Sequence, residues 1–464
     1  MTLLQPLSRP EATAAETLLG RLARNWLALL HLSWPVVLSR AGLVILVLTA
    51  IVLVGRHDTL ALAHLSLGNA IFFPLVVTGV GAMVGIISQT AREKGAGSTD
   101  LPAIFLRGMG WALVVGGVIS VLVYNAEPAL RLIGHEPAMA EAAGRVARLL
   151  APGALFQVLF VAAGFYLEGT GRMKPGLVAM IAANLVNLAL CLALVGGRFG
   201  LPALGADGAA IAGTIARFVM AVGLIGWMLT LPEFRAYRGR RGGFWGPGGW
   251  AAGAEMRRIG IAGGAAYCFE TFAFAAMAQA AGLLGASALA AYTILHNVEA
   301  TVFMIALGLS VGTAVRVGQA AGADDVVEAR AAGVAGVLAA MALIGLVGLG
   351  LWMVAPAVIA FFSNDAALIA RAAPLIAILA VTMIFDAAQV VLGQSTRALG
   401  DSWGTTLIFF VAFWCVMVPV GLALAFWTDL AEAGLFLATG LGCVTAAVLL
   451  GLRLRTLLAR RAAA

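Results

Sequence analysis

The chain has 464 residues, of which 62% are hydrophobic and 11% charged, with a formal net charge of +7; an ordinary soluble domain carries about 25% charged residues. Too few charged side chains exist to coat a globule of this size, and the apolar runs repeatedly reach the ~20 residues that cross a bilayer as a helix, which excludes a soluble protein. The runs are continuous rather than alternating, which excludes a transmembrane β-barrel.

In chain order, residues 1–32 hold Arg9, Arg21 and Arg24 but no short apolar core followed by a small-residue cleavage site. They are expected to form a cytoplasmic tail, partly an amphipathic surface helix, and not a cleaved signal. Twelve apolar runs then predict spanning helices over 33–55, 62–87, 105–126, 146–167, 175–196, 207–231, 257–281, 288–314, 331–354, 372–396, 404–426 and 432–452. Pro35, Pro356 and Pro419 are expected to bend or end helices. With both termini cytoplasmic, most of the 29 basic residues fall in or beside cytoplasmic segments, with Arg40 and Arg217 inside spans. That asymmetry sets the expected orientation. The densest basic cluster, Arg235, Arg238, Arg240 and Arg241, lies in the Gly-rich stretch 232–256 and reads as a positive-inside linker, not a nucleic-acid site.

The two halves repeat at a nearly constant offset. Phe156-Gln157 matches Phe385-Asp386, Gly164 matches Gly393 and Gly171 matches Gly400, all 229 residues apart; Asn69 matches Asn297 and Gln89 matches Gln319 at close offsets. Six spans per half is an even number, so the repeats must run parallel, with a cavity between two bundles. The predicted architecture is an all-α polytopic membrane protein of twelve transmembrane helices in two six-helix lobes related by a parallel pseudo-two-fold. Its parts are a tail (1–32), an N-lobe (33–231), a cytoplasmic linker (232–256), a C-lobe (257–452) and a C-terminal tail (453–464).

Only Glu270, Glu299 and Asp386 among 22 acidic residues fall near span centres. A carboxylate there costs about 2.5–3.5 kcal/mol, so each needs a partner, a proton or a cation. Arg40 and Arg217 are candidate partners in a purely structural reading. In the functional one, a carboxylate whose hydration differs between outward-open and inward-open states takes up H⁺ or Na⁺ on one side and releases it on the other. His296 shares a helix face with Glu299, as a proton relay or as a histidine bonded to a backbone carbonyl. Asn184 and Asn187 are one turn apart and serve as interhelical hydrogen-bonders or cavity-lining groups. The cysteines Cys191, Cys268, Cys415 and Cys443 stand alone, with no CxxC pair, so neither a disulfide framework nor a metal site is expected, Na⁺ at Glu270 and Asp386 apart. Neither Lys94 nor Lys174 opens a P-loop Lys-Ser/Thr pair, and no HExxH is present, so no enzyme and no cofactor are expected.

Several runs resemble a known family. Ala290-Ala291-Tyr292, Phe303-Met304-Ile305, Gly308-Leu309-Ser310 and the run from Arg316 to Ala323 resemble the span-eight signature of multidrug and toxic compound extrusion (MATE) transporters. Phe385-Asp386-Ala387-Ala388-Gln389-Val390-Val391, followed by Arg397-Ala398-Leu399-Gly400-Asp401, resembles their span-ten signature. The resemblance extends over essentially the whole chain and is closest to the NorM-type branch. It implies two lobes in a V, a functional monomer in a bacterial inner membrane, and antiport of amphipathic organic cations against H⁺ or Na⁺. By the same resemblance Glu270 and Asp386 are the ion-coupling pair; Glu299, which stands outside the family pattern and is expected to attract substrate, His296, Asn184 and Asn187, taken from their places in the spans, and Tyr292 and Gln389 within the quoted runs are substrate or cavity candidates. Those relatives usually carry a span-one Asp where this chain has Ala50, which moves the expected coupling to the second lobe. The alternative within the superfamily, a lipid-linked saccharide flippase, predicts a cationic cavity.

Overall fold

A computed structural model describes residues 18–197, 202–237 and 249–463. Residues 1–17 of the expected tail, and Arg238, Arg240 and Arg241 of the linker cluster, lie outside them. The described residues are helical almost throughout, and twelve helices are long and apolar enough to cross a bilayer. We number these α1 (Leu18–His57), α2 (Thr59–Gly95), α3 (Leu101–Tyr124), α4 (Pro137–Gly169), α5 (Lys174–Leu194) and α6 (Gly205–Leu229) in the first half. The second half holds α7 (Ala251–Leu283), α8 (Ala286–Gly322), α9 (Val326–Met353), α10 (Leu375–Ala398), α11 (Trp403–Trp427) and α12 (Glu432–Ala462). We call the end where α1 starts and α12 finishes the base, and the opposite end the mouth.

The spans are those expected in number and order, but several helices overrun them. Hydropathy marks where a chain leaves apolar surroundings, whereas a helix continues wherever its backbone bonds still form. So α2 runs on through Arg92, Glu93 and Lys94, α12 through Arg453 to Arg461, and α1 is continuous from Leu18 with no break before its span. Pro356 opens a short helix, Ala355–Phe362, after α9. Pro419 lacks the N–H that would bond back one turn, and α11 answers with a π-helical stretch, Val411–Met417, just before it.

The repeat is visible in the irregular parts as well as in the spans. The short helix Ala126–Ile133 recurs as Ala355–Phe362, each coming after the third helix of its half. Gly171 (φ +84°) and Gly400 (φ +94°) occupy the same left-handed turn after α4 and α10, where a side chain would be strained. Apolar side chains form one large core within each half, and the N-half core takes in Met256, Val311 and Val315 across the seam. Between halves, α1 packs on α8 and α2 on α7, two contacts that exchange under the pseudo-two-fold.

These seams close at the base. From Gly79 to Ala91 in α2, and from Ala306 to Ala321 in α8, nearly every residue is buried. A Cβ on Gly85 would fall 1.9 Å from the Met256 carbonyl oxygen, and one on Gly322 would fall 1.9 Å from that of Arg92. Only backbone without a side chain can approach so closely. Arg92 Nη2 adds a 2.6 Å ion pair to Glu255 across the same seam. Toward the mouth the faces that continue these seams are exposed. Phe73, Ala70 and Ser66 lie eight, eleven and fifteen residues before Gly81, on one stripe of α2, and all are exposed. Thr301, Asn297 and Thr293 stand seven, eleven and fifteen residues before Gly308 on α8, and are likewise exposed. The molecule is therefore a cleft open at the mouth and sealed at the base.

Gly85→Ala is expected to force the seam apart. Spin labels on Ala96→Cys and Ala254→Cys, at the base of either half, will report a single short distance in the parent and a longer, broader one with Gly85→Ala. An unchanged distribution would show that the seam does not depend on this contact.

Candidate functional site

The three mid-span acids converge inside the second half. Asp386 on α10 is 5% exposed and Glu299 on α8 is 4% exposed, while Glu270 on α7 is partly exposed. The three lie within electrostatic reach of one another. Gln389, one turn beyond Asp386, donates from Nε2 to Asp386 Oδ1 at 2.9 Å and lies beside the Glu270 carboxyl. Cys443 on α12 brings its Sγ to 3.8 Å from the same Asp386 oxygen. Two acceptor atoms within the cluster, Gln389 Oε1 and Glu299 Oε1, are buried without a hydrogen bond. The site is thus rich in oxygen acceptors and poor in donors, the balance that suits a proton or a small cation.

Glu299 does not face the cleft. It lies inward from the Thr293–Thr301 stripe, with His296 Nδ1 3.5 Å from its Oε2. The His296 ring sits against Phe274 (centroids 5.3 Å) and Tyr292 (5.9 Å) and has 40% of its side chain exposed, so it stands between solvent and the buried carboxyl. Its Nδ1 is hydrogen-bonded neither to Glu299 nor to a backbone carbonyl. Tyr292 is 2% exposed and stacked on Phe436, so it lines the inside of the lobe and not the cleft. Asn184 and Asn187 are far from the acids. Their Nδ2 atoms donate to Gly42 O (3.0 Å) and Leu46 O (3.1 Å), fastening α5 to α1.

Neither candidate arginine neutralises the acids. Arg40 donates to both oxygens of buried Glu168 on α4, at 3.2 and 3.3 Å, and lies over Phe165. Arg217 rests 4.9 Å over the Phe72 ring. A third arginine is buried in a span instead. Arg397, at the last turn of α10, was expected in a cytoplasmic flank, yet it is 1% exposed. Its guanidinium lies 5.1 Å over Phe409 and 5.7 Å over Tyr267, and Nε and Nη2 have no partner. Spacing from the charged base made it look solvated; the repeat held the contrary signal, because an offset of 229 places Arg397 opposite Glu168, and both are buried. Ala50 is buried in the first core and adds no charge. A separate hollow of about 250 Å³ at the mouth, between His57, His64, Arg145 and Asp207, lies in the first half and away from these acids.

Twelve spanning helices around a one-sided cleft, with acids in a single lobe, define a polytopic transporter. The MatE family model matches residues 35–193 and 264–423, one match per half, and the chain belongs to this family. It is a transporter and not an enzyme. It is 34% identical over 454 residues to the "Probable multidrug resistance protein NorM" of Caulobacter vibrioides, covering 95% of this chain and 96% of that one. It is 29% identical to the multidrug resistance protein PmpM of Pseudomonas aeruginosa, covering 85% and 83%. Among solved structures, the eukaryotic MATE transporter AtDTX14 superposes with a TM-score of 0.82 at 20% identity, covering 95% and 99%. A multidrug resistance MATE transporter in an outward-facing conformation gives 0.83 at 18% identity, covering 95% and 97%.

If Asn187 only fastens α5 to α1, Asn187→Leu should destabilise the fold by about 1 kcal/mol, the usual worth of such a bond in a membrane. The apparent KM for transported cations should stay unchanged, checked by thermal unfolding and transport on one preparation. A shifted KM at unchanged stability would make Asn187 a cavity group.

Proposed function

We propose that this MATE transporter exports amphipathic organic cations in exchange for H⁺ or Na⁺, with Glu270 and Asp386 as the coupling pair. The observation that carries the reading is the acid cluster: carboxylates gathered at mid-depth in one lobe, with unpaired acceptors and no arginine bonded to them. In this reading both termini are cytoplasmic, the transporter works as a monomer in a bacterial inner membrane, and the open mouth faces outward. An ion entering from the mouth passes His296 and Glu299, or the partly exposed Glu270, before reaching Asp386. Filling the cluster removes negative charge from the lobe and biases which end of the cleft opens. The cleft stripes carry Phe73, Ser66, Thr293, Asn297 and Thr301, an amphipathic and uncharged lining suited to an aromatic cation and unsuited to a pyrophosphate. The saccharide-flippase alternative is therefore disfavoured. Glu299, enclosed within the lobe, acts on the ion and not on the drug.

The test is transport of a fluorescent organic cation in proteoliposomes under separately imposed H⁺ and Na⁺ gradients. Glu270→Gln and Asp386→Asn should each abolish gradient-driven efflux while eluting as folded protein. Wild-type rates in both would remove the coupling pair. Ala50→Asp should leave the ion stoichiometry, read from reversal potentials, unchanged, since a new acid in the first core lacks partners; an added ion per cycle would place a coupling site in the first lobe.

A further inference from the structure

Arg397 stands at a definite level along the membrane axis, buried within the second lobe. On α7, which rises from base to mouth, Tyr267 is one turn nearer the base than Glu270. On α10, which descends, Arg397 is eleven residues nearer the base than Asp386, about 16 Å along the helix. The seam closes at the level of that ring, a Cβ on Gly81 falling 2.8 Å from Tyr267 and 2.6 Å from the Gly263 carbonyl oxygen, and it stays closed toward the base, where a Cβ on Gly318 would meet Ala91 (2.9 Å) and Ala398 (3.7 Å), the neighbour of Arg397. The guanidinium thus lies on the base side of the acid cluster, at the top of the seal. It is held by rings, and Tyr267 is itself tied by Gln394, whose Nε2 donates to the phenol oxygen at 2.9 Å.

The charge around it is not cancelled locally. Asp401, the nearest acid in sequence, is paired with Arg453 at 2.6 Å. Glu168, in the first lobe, is taken by Arg40. Glu255, at the base, is taken by Arg92. Among the described residues Arg397 makes no ion pair, and Glu270 is the acid within its electrostatic reach. A buried guanidinium without a bonded carboxylate is costly, which argues that its charge has a use.

Building on the coupling role of Glu270, we infer that Arg397 is an electrostatic floor to the ion site: a fixed positive charge that holds the coupling ion at the acid cluster and bars it from leaking through the base while the mouth is open. The positive charge acts on any cation below Glu270, because in low dielectric a like charge raises the barrier steeply with proximity. It also attracts Glu270 when the ion has gone, so the empty cluster is not left as bare negative charge. The repeat supplies the mirror image: in the first lobe the arginine is on the first helix and the carboxylate on the fourth, as Arg40 and Glu168, and these two are bonded to each other and carry no ion.

The experiment is drug-free ion flux into proteoliposomes, using a trapped pH dye for H⁺ and radiolabelled Na⁺ for Na⁺. Arg397→Gln, and Arg397→Met, which keeps the stem packed between the rings, should each raise the flux of the driving ion by about tenfold. Arg397→Lys should stay near wild type, and adding Glu270→Gln to Arg397→Gln should bring the leak back to baseline. Folded neutral variants that remain tight would overturn the inference, as would a lysine variant that leaks as much as glutamine. Tight neutral variants combined with an inactive Glu270→Gln would refute the floor alone; an active Glu270→Gln would refute the coupling assignment on which it rests.

Discussion

The cost of a carboxylate in the middle of a membrane, about 2.5–3.5 kcal/mol each, governs the rest of the molecule. Three such groups are gathered in one lobe, so their charges also repel one another, and only a proton, a cation or a rearrangement relieves both penalties. The surroundings keep the penalty usable. Gln389 and Cys443 hold Asp386 in place without neutralising it. Glu299 Oε1 and Gln389 Oε1 remain open as acceptors. A bonded arginine would have made the cluster structural and fixed.

Duplication explains how two like lobes came to do different work. The helices, the short mouth helix and the glycine turns repeat at about 229 residues, whereas the charged positions repeat with their signs exchanged, Arg40 and Glu168 against Glu270 and Arg397, or lose their charge. Asp386 has Gln157 as its mate, buried and neutral. The first lobe keeps a buried ion pair, Arg40 with Glu168, and a buried arginine, Arg217, over the Phe72 ring, and Ala50 adds nothing ionisable. The glycine seams at the base then join a lobe whose charge can change to one whose charge is locked. Under the proposed coupling, a shift in the first kind of lobe would move the whole cleft, because the contacts between halves are backbone on backbone and do not deform gradually.

Much of this was legible in the sequence. Span number, the parallel repeat and the three acids follow from hydropathy and from the rarity of charge in apolar runs. What was not legible concerns direction. α8 carries polar residues on more than one face at this level, Thr293, Asn297 and Thr301 on one and Glu299 on another, so the sequence did not tell which face looks into the cleft and which into the lobe. Arg397 sits at a helix end, where a basic residue ordinarily reaches solvent, and only the fold brings Tyr267 and Phe409 over it. Cys443 has no neighbour in sequence to suggest a role and gains one solely by facing Asp386. The asparagines of α5 read equally well as fasteners or cavity groups until α1 was placed against them.

The central claim is that drug export is coupled to an ion through the acids of the second lobe alone. It is tested most directly by measuring H⁺ and Na⁺ released when a cationic drug binds to purified protein in weakly buffered solution. The account predicts release from the wild type, none from Glu270→Gln or Asp386→Asn, and wild-type release from Arg40→Met combined with Glu168→Gln, which removes the buried ion pair of the first lobe. Release that persists in both acid variants and vanishes in the Arg40 and Glu168 combination would contradict it.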